Sequence, residues 1–359
     1  MFRDRSHLLL GVDLQRGFFE AERKREFGLD KRNWYQRKWG NARALRAKER
    51  RAVKRGSQKI SRMDIAVDDR DIRLGKISKV FNGNMCCIIS EEQEYIAGNS
   101  GAVIGDLVKF VASDSGNKII DILPRKSKLV RMRFDASRQS SEACEEHVLA
   151  ANIDVAVIVA SAASPTFHPR LIDRYLIMCQ YGNIAPVICV NKIDLVVTVP
   201  DLSAYTSLGI PVVYTSVVNN VGIPELRNHI KRKCAVLTGH SGVGKSALFN
   251  QLLGRDIQKT GQLTRGSSGR HTTTNSTMYA LGDDTFIIDT PGLRALGLWD
   301  IGKETLKYYF PEFQEYASAC KFRDCMHLHE PECAVKQAVG RGEVSEDRYR
   351  SYIKLLEEL

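Results

Sequence analysis

The chain lacks any run approaching the ~18 apolar residues that a bilayer-spanning helix requires, which excludes a helical membrane protein. Leu8-Leu9-Leu10, with Asp4 and Asp13 on either side, is too brief for the apolar centre of a signal peptide. A soluble cytoplasmic protein is therefore expected. Cysteine is scarce: nine residues in 359 cannot staple a secreted scaffold of this size. There is no internal repeat, and no low-complexity run outside one basic segment. What remains is an ordinary globular balance, 43% hydrophobic and 26% charged, in a chain long enough for two or three domains.

The net charge of +11 is almost entirely local. Residues 21–62 hold sixteen Lys and Arg against four Asp and Glu, while residues 1–20 balance at three against three. Everything after the basic arm is close to neutral. Self-repulsion and few apolar residues make an extended or partly helical arm, suited to a polyanion whose binding weakens with salt. Trp34, Tyr35 and Trp39 interleave with its cations and are placed either to stack on bases or to pack against the body.

Between 72 and 133 the chain reads as five short strands with Gly and Asn turns: 72–81, 85–90, 94–96, 107–112 and 118–123. That density fits a small closed barrel, of the oligonucleotide-binding or the SH3-like kind. Pro124-Arg125-Lys126 marks its exit, and the polar stretch through His147 reads as a linker. From Asn152 onward, continuous apolar strands at 154–160, 186–190, 211–214, 234–237, 278–281 and 285–288 alternate with helical segments at 170–179, 224–231 and 245–253. This is the trace of a parallel sheet covered on both faces, a doubly wound α/β domain.

Gly239-His240-Ser241-Gly242-Val243-Gly244-Lys245-Ser246 fits G-x-x-x-x-G-K-[ST], after a strand ending near Thr238 and before a helix that continues through Ala247. Glycines let successive N–H groups face inward at phosphates, and the helix N-terminus adds partial positive charge. Lys245 is the expected contact of the β- and γ-phosphates and Ser246 of Mg²⁺. Asn191-Lys192-Ile193-Asp194 matches N-K-x-D at a second strand end. An ionised Asp194 accepts both guanine N1–H and the exocyclic amine, which adenine does not offer, while Asn191 braces the neighbouring loops and the Lys192 stem lies along the base. Thr215-Ser216-Val217 follows the next strand, where a backbone N–H can meet guanine O6. Asp289-Thr290-Pro291-Gly292 supplies D-x-x-G, Asp289 for Mg²⁺ and the Gly292 N–H for the γ-phosphate. Between lies Gly269-Arg270-His271-Thr272-Thr273-Thr274, with Thr272 or Thr273 as the switch threonine in a mobile loop.

Ordinary GTPases place N-K-x-D and the Ser-Ala-like element last. Here both precede the phosphate loop, so the domain is circularly permuted and its second switch runs almost directly into the C-terminal segment. In this permuted order, closed by a Cys-rich tail, residues from about 70 to 359 resemble the ribosome small-subunit-dependent GTPase family, RsgA, also called YjeQ. The resemblance implies an oligonucleotide-binding barrel, a permuted GTPase domain and a C-terminal zinc domain, with GTP and GDP as ligands. It also implies action on the small (30S) ribosomal subunit and its rRNA late in maturation. The long arm before residue 70 is a departure from the family's core. The resulting division is a basic, partly disordered extension at 1–69, the barrel at 70–133, the permuted GTPase domain at 134–312 and an α-helical zinc-binding domain at 313–359. A monomer without membrane association is expected.

Cys320, Cys325, His327 and Cys333 give C-x₄-C-x-H-x₅-C, a closed Cys₃His set of the structural kind for one Zn²⁺. His329 is a rival for the imidazole position, and the resemblance favours His327. Cys86, Cys87, Cys189 and Cys234 sit in apolar strands and read as core. Ras-type enzymes orient the attacking water with a Gln directly after D-x-x-G, a position held here by Leu293. His271 is the candidate for that work, beside Lys245 and Thr273. Two functions follow: a GTPase whose turnover is stimulated by the small subunit, or a nucleotide-gated RNA-binding scaffold that barely hydrolyses. An ATPase acting on free nucleic acid is disfavoured by Asp194.

Overall fold

The computed structural model describes residues 72–81, 84–99, 101–113, 116–134, 144–254, 276–289 and 301–359. The basic arm and the proposed 1–69 extension lie outside the described residues. The barrel is built from β1 (Ile72–Phe81), β2 (Met85–Ser90), β3 (Gln93–Gly98), β4 (Leu107–Val111) and β5 (Asn117–Ile122). Its strands run in the order β1-β2-β3-β5-β4, with β4 pairing back onto β1. The parallel contact of β3 with β5 and the closure of β4 on β1 decide for the oligonucleotide-binding circuit over the SH3-like alternative. Inward alternation supplies the core: Ile77, Cys86, Ile88, Val108, Phe110 and Ile119 are buried together. Gly75 is needed here because a Cβ at that position would stand 2.3 Å from the Ile88 Cγ2 atom. At the exit, Arg125 donates to both oxygens of the buried Asp106, at 2.7 and 2.8 Å, and so ties the last loop to the barrel.

The stretch expected to be a linker is in part a strand pair. β6 (Lys128–Phe134) and β7 (Cys144–Ala151) form a two-stranded antiparallel ribbon. Their alternation is short and laced with charge, so polarity masked a period of two.

The α/β sheet contains β8 (Val155–Ser161), β9 (Ala185–Asn191), β10 (Val212–Tyr214), β11 (Cys234–Thr238), β12 (Thr277–Gly282) and β13 (Thr285–Asp289). Its order is β10-β9-β8-β11-β13-β12, parallel except for β12, which runs antiparallel to β13 and also touches β1 of the barrel. Helices α1 (Pro169–Tyr181), α2 (Ser203–Thr206), α3 (Ile223–Ile230) and α4 (Lys245–Leu253) connect these strands. Continuous burial of Val155, Ala156, Val157, Ile158 and Val159 in β8, and of Val187 through Val190 in β9, reflects cover on both faces.

The C-terminal region is helical: α5 (Lys303–Leu306), α6 (Pro311–Ala317), α7 (Ala334–Gly340) and α8 (Glu346–Glu358). The Ser345 hydroxyl accepts the Arg348 N–H, and Glu346 and Asp347 occupy the first turn of α8, where negative charge suits the helix dipole. Phe310, Phe313, Tyr352, Leu355 and Leu356 form its core, and Ile177 of α1 joins them. Barrel, permuted α/β sheet and Cys-rich helical tail are the architecture expected from the sequence.

Candidate functional site

The carboxyl ends of β8, β9, β10 and β11 converge, which is where a doubly wound sheet binds its ligand. Between β11 and α4 the loop 239–244 turns on three glycines with positive φ: Gly239 at 137°, Gly242 at 82° and Gly244 at 95°. Space demands two of them as firmly as torsion does. A Cβ on Gly239 would lie 2.1 Å from the Val159 carbonyl oxygen, and one on Gly244 would lie 2.3 Å from Asn191 Nδ2. The result is a cradle of backbone N–H groups at a helix N-terminus, a chemistry suited to phosphate. Lys245 Nζ lies within the loop, donating to the carbonyls of Gly239 and His240 at 2.8 and 2.6 Å. Ser246 and Ala247 are exposed in the first turn of α4, and Ser241 is exposed in the loop.

The N-K-x-D element is joined to this cradle. The buried Asn191 donates from Nδ2 to the Val243 carbonyl at 3.0 Å, and its Oδ1 accepts the Thr215 hydroxyl at 3.2 Å. Lys192, in the left-handed region at φ 63°, donates to the Ser164 and Gly242 carbonyls at 2.5 and 2.7 Å. The Ser216 hydroxyl donates to Asp194 Oδ1 at 2.5 Å, so the next loop orients the carboxylate. Val217, beside it, packs half-buried on the core. Asn191 and Val243 are 52 positions apart in sequence, yet one hydrogen bond joins them. Thr215 and Ser164 are braces that sequence reading did not single out. Thr215 was legible only as part of a weak Thr-Ser-Val match, and Ser164 left no signal.

Asp289 closes β13 on the neighbouring strand and has interaction partners. His271, Thr272 and Thr273 of the first switch lie outside the described residues, as do Gly292 and Leu293 of the second. Thr238, at the end of β11, is buried, and its hydroxyl has no hydrogen-bond partner.

These loops stand in permuted order on a sheet whose strands keep their usual parallel neighbours, and the comparisons agree. The model of the RsgA GTPase family matches residues 122–299. The small ribosomal subunit biogenesis GTPase RsgA of Gemmatimonas aurantiaca is 41% identical over 247 residues, which is 67% of this chain and 78% of that protein. The chain belongs to the RsgA GTPase family. The RsgA protein of Chlorobaculum parvum is 40% identical over 246 residues, with the same shares of 67% and 78%. Among solved structures, YjeQ from Thermotoga maritima superposes with a TM-score of 0.61 at 29% identity, covering 80% of this chain and 98% of that one. YloQ, described as a circularly permuted GTPase, superposes with a TM-score of 0.61 at 28% identity, covering 82% and 97%. RsgA membership makes this chain a GTPase.

The second site of this RsgA chain is made of side chains. Cys320, Cys325, His327 and Cys333 bring their donor atoms within 4.8 Å of one another. His329 is exposed and outside this group. His327 Nδ1 stands 3.7 Å from the Cys320 sulfur and 3.4 Å from the Cys333 sulfur, and the two sulfurs are 3.9 Å apart. Four thiolate or imidazole donors around one Zn²⁺ at ~2.3 Å have edges of roughly 3.8 Å, so the set fits a tetrahedral metal. Burial, with Lys307 nearby, pushes the His327 imidazole down to about 4, favouring the neutral form that ligates. Burial also pushes the Cys325 thiol up to about 12 and raises Cys333, so thiolates form here only against a cation.

The turn is fixed from several sides. Glu330 accepts the N–H groups of Met326 and Leu328 at 2.7 and 2.8 Å. Although burial alone would raise the Glu330 carboxyl, those N–H groups hold it below its ordinary value. From α8, the Tyr349 and Tyr352 hydroxyls donate to the carbonyls of His327 and Met326 at 2.6 and 2.7 Å. Cys86, Cys87, Cys189 and Cys234 are buried elsewhere, in the strands that hold them. Among the described residues no helix is long and apolar enough to cross a membrane.

Proposed function

We propose that this chain hydrolyses GTP to GDP and phosphate in a cycle that times its binding to, and release from, the maturing small ribosomal subunit. The observation that carries the reading is the set of braces that joins the two motifs: Ser216 donates to Asp194, while Lys192 and Asn191 donate to the Gly242 and Val243 carbonyls of the 239–244 loop. A carboxylate aimed for guanine and a cradle built for phosphates are thereby held as one rigid unit. Asn191, Lys192 and Asp194 take the base, and residues 239–246 take the phosphates, with Lys245 on the transferring group. Mg²⁺ fits Ser246 with Asp289 and a switch threonine, Thr272 or Thr273, and neutralises charge on the phosphates when bound. The Gly292 N–H reports the γ-phosphate.

Leu293 cannot orient water, so His271 is the candidate for that step, brought into place when the chain docks on the subunit. The barrel and the basic arm offer the rRNA-binding surfaces. The Cys₃His set holds one structural Zn²⁺. The protein acts as a monomer in the cytoplasm, where ribosomal subunits are assembled. The curated names of the relatives, which read small ribosomal subunit biogenesis GTPase, favour turnover over a scaffold that barely hydrolyses.

The test compares GTP turnover with and without purified 30S particles for wild type and His271→Ala. Stimulation by the particle that His271→Ala abolishes supports the reading; an unchanged ratio removes His271 from the mechanism. Co-sedimentation with 30S particles in GDP and in a non-hydrolysable GTP analogue, repeated without residues 1–62, separates the switch from the arm. Nucleotide-independent affinity ends the switch model.

A further inference from the structure

Arg348 lies in α8, and its side chain turns toward helices α1, α2 and α6. Its side chain is 4% exposed and reaches three parts of the chain. It bonds Asp173 of α1, which is fully buried, and it bonds both oxygens of Glu312 in α6, at 2.7 and 3.2 Å. Its guanidinium carbon also lies 4.6 Å from the centre of the Phe310 ring and 5.5 Å from that of Tyr205 in α2. Although burial alone would lower it, Glu312 and Asp173 hold the Arg348 pKa above its ordinary value.

A buried ion cluster of this kind is weak evidence for stability, since well-packed apolar residues commonly serve as well. The cluster is also imperfect: Asp173 Oδ2 is buried without a hydrogen-bond partner. Its position is the more informative feature. The face of α1 turned toward α8 carries Asp173 and Ile177, with Arg170 and Arg174 paired to Glu358 at the rim. The other face carries Leu171, Ile172 and Tyr175, which line a cavity shared with His240 and Val243 of the phosphate loop. Tyr205 belongs to the segment that follows the guanine-reading loop.

We infer that Arg348 is a positioning residue that locks α1 and α2 to the Cys₃His region, so that displacement of the C-terminal helices is felt at the nucleotide loops. One packed helix, α1, touches both ends, which gives the coupling a physical route. The inference rests on the nucleotide reading above and adds a regulatory input to it.

The test uses the full-length protein. Fluorescent GDP binding and hydrogen exchange of residues 239–246 are measured for wild type, Arg348→Lys, Arg348→Met and the triple variant Asp173→Asn, Glu312→Gln, Arg348→Met. Removing one partner leaves buried charge and costs folding, with an expected fall in melting temperature of about 10 °C for Arg348→Met. The triple variant leaves no orphaned charge, and it keeps the test alive if the single variant does not fold. The expected result is GDP binding weakened by at least about fivefold and faster exchange in the phosphate loop for the triple variant, with partial recovery in Arg348→Lys. Glu358→Gln, which removes only rim pairs, is expected to bind GDP as wild type does. Wild-type affinity and loop exchange in the triple variant overturn the inference. Failure of wild type itself to bind GDP would instead reject the nucleotide reading.

Discussion

The two sites are built on opposite plans. The phosphate loop is a backbone structure whose glycines leave room for N–H groups, and its few side chains brace one loop against another. The Cys₃His site is a side-chain structure: its donors are packed beside Phe313, with Tyr349 and Tyr352 holding the carbonyls around them. A backbone cradle tolerates no added volume. A side-chain cluster in a small core depends on what joins its donors.

The largest effect is expected where that dependence is greatest. Cys333→Ala removes a buried donor, and closed metal sites contribute on the order of 10 kcal/mol of binding free energy to folding. The C-terminal helices 303–358 should become protease-sensitive and bound zinc should fall to background, while guanine nucleotide is still retained, more weakly. Zinc release assayed alongside limited proteolysis checks this. A variant that keeps its metal would dissolve the contrast between the two plans.

Gly239→Ala probes the other plan. At φ 137°, with the Val159 carbonyl 2.1 Å from the added carbon, backbone strain and overpacking together should cost about 4 kcal/mol. Denaturant midpoints measure the cost, and loss of GDP binding accompanies it. Asn191→Ala should cost about 2 kcal/mol, because it removes the buried partner of the Val243 carbonyl and leaves the Thr215 hydroxyl only the weak contact with the Cys189 sulfur. Nucleotide affinity should fall with it, since no glycine has changed but the loops have lost their brace. Asp194→Asn should leave stability within about 0.5 kcal/mol and exchange guanine for xanthine preference, read by competition binding. If the variant keeps the wild-type preference for GTP over XTP and ATP, Asp194 does not read the base.

The unequal legibility of the molecule has the same origin. Gly239, Gly242 and Gly244 carry their reason in their own torsion, so a motif of eight residues announces the loop. Asn191 and Asp194 announce themselves likewise, because each acts from a strand end that apolar patterning locates. The resemblance favoured His327 over His329, and the fold supplies the physical reason that spacing alone lacks: the turn closed by Glu330 aims His327 inward and leaves His329 exposed. The ribbon β6–β7 was hidden because its alternation is short and its intervening loop polar. Arg348 and Asp173, 175 residues apart, were invisible for a different reason. Nothing local in an amphipathic helix distinguishes an arginine bound for solvent from one that will be buried by another domain.

A pH experiment separates stability from site chemistry with the smallest effect of the set. His229 lies on α3, and its backbone carbonyl accepts a hydrogen bond from Lys233 Nζ at 2.7 Å. Burial, reinforced by the Lys233 charge, lowers its pKa below the ordinary histidine value of 6.5. The folded protein therefore holds the imidazole neutral at a pH where the unfolded chain already binds a proton. By linkage, the unfolded state gains protons first as pH falls, so stability is full above 6.5 and is lost as pH drops from there through the lower folded value. Solvent screens the partly exposed imidazole, so the expected loss is small, and His229→Gln should remove it. GDP affinity measured over the same window should track wild type in the variant, because none of the hydrogen bonds that brace the loops passes through His229. A pH-dependent affinity that disappears with His229→Gln would mean that α3 is coupled to the cradle, and the separation between scaffold and site would have to be redrawn.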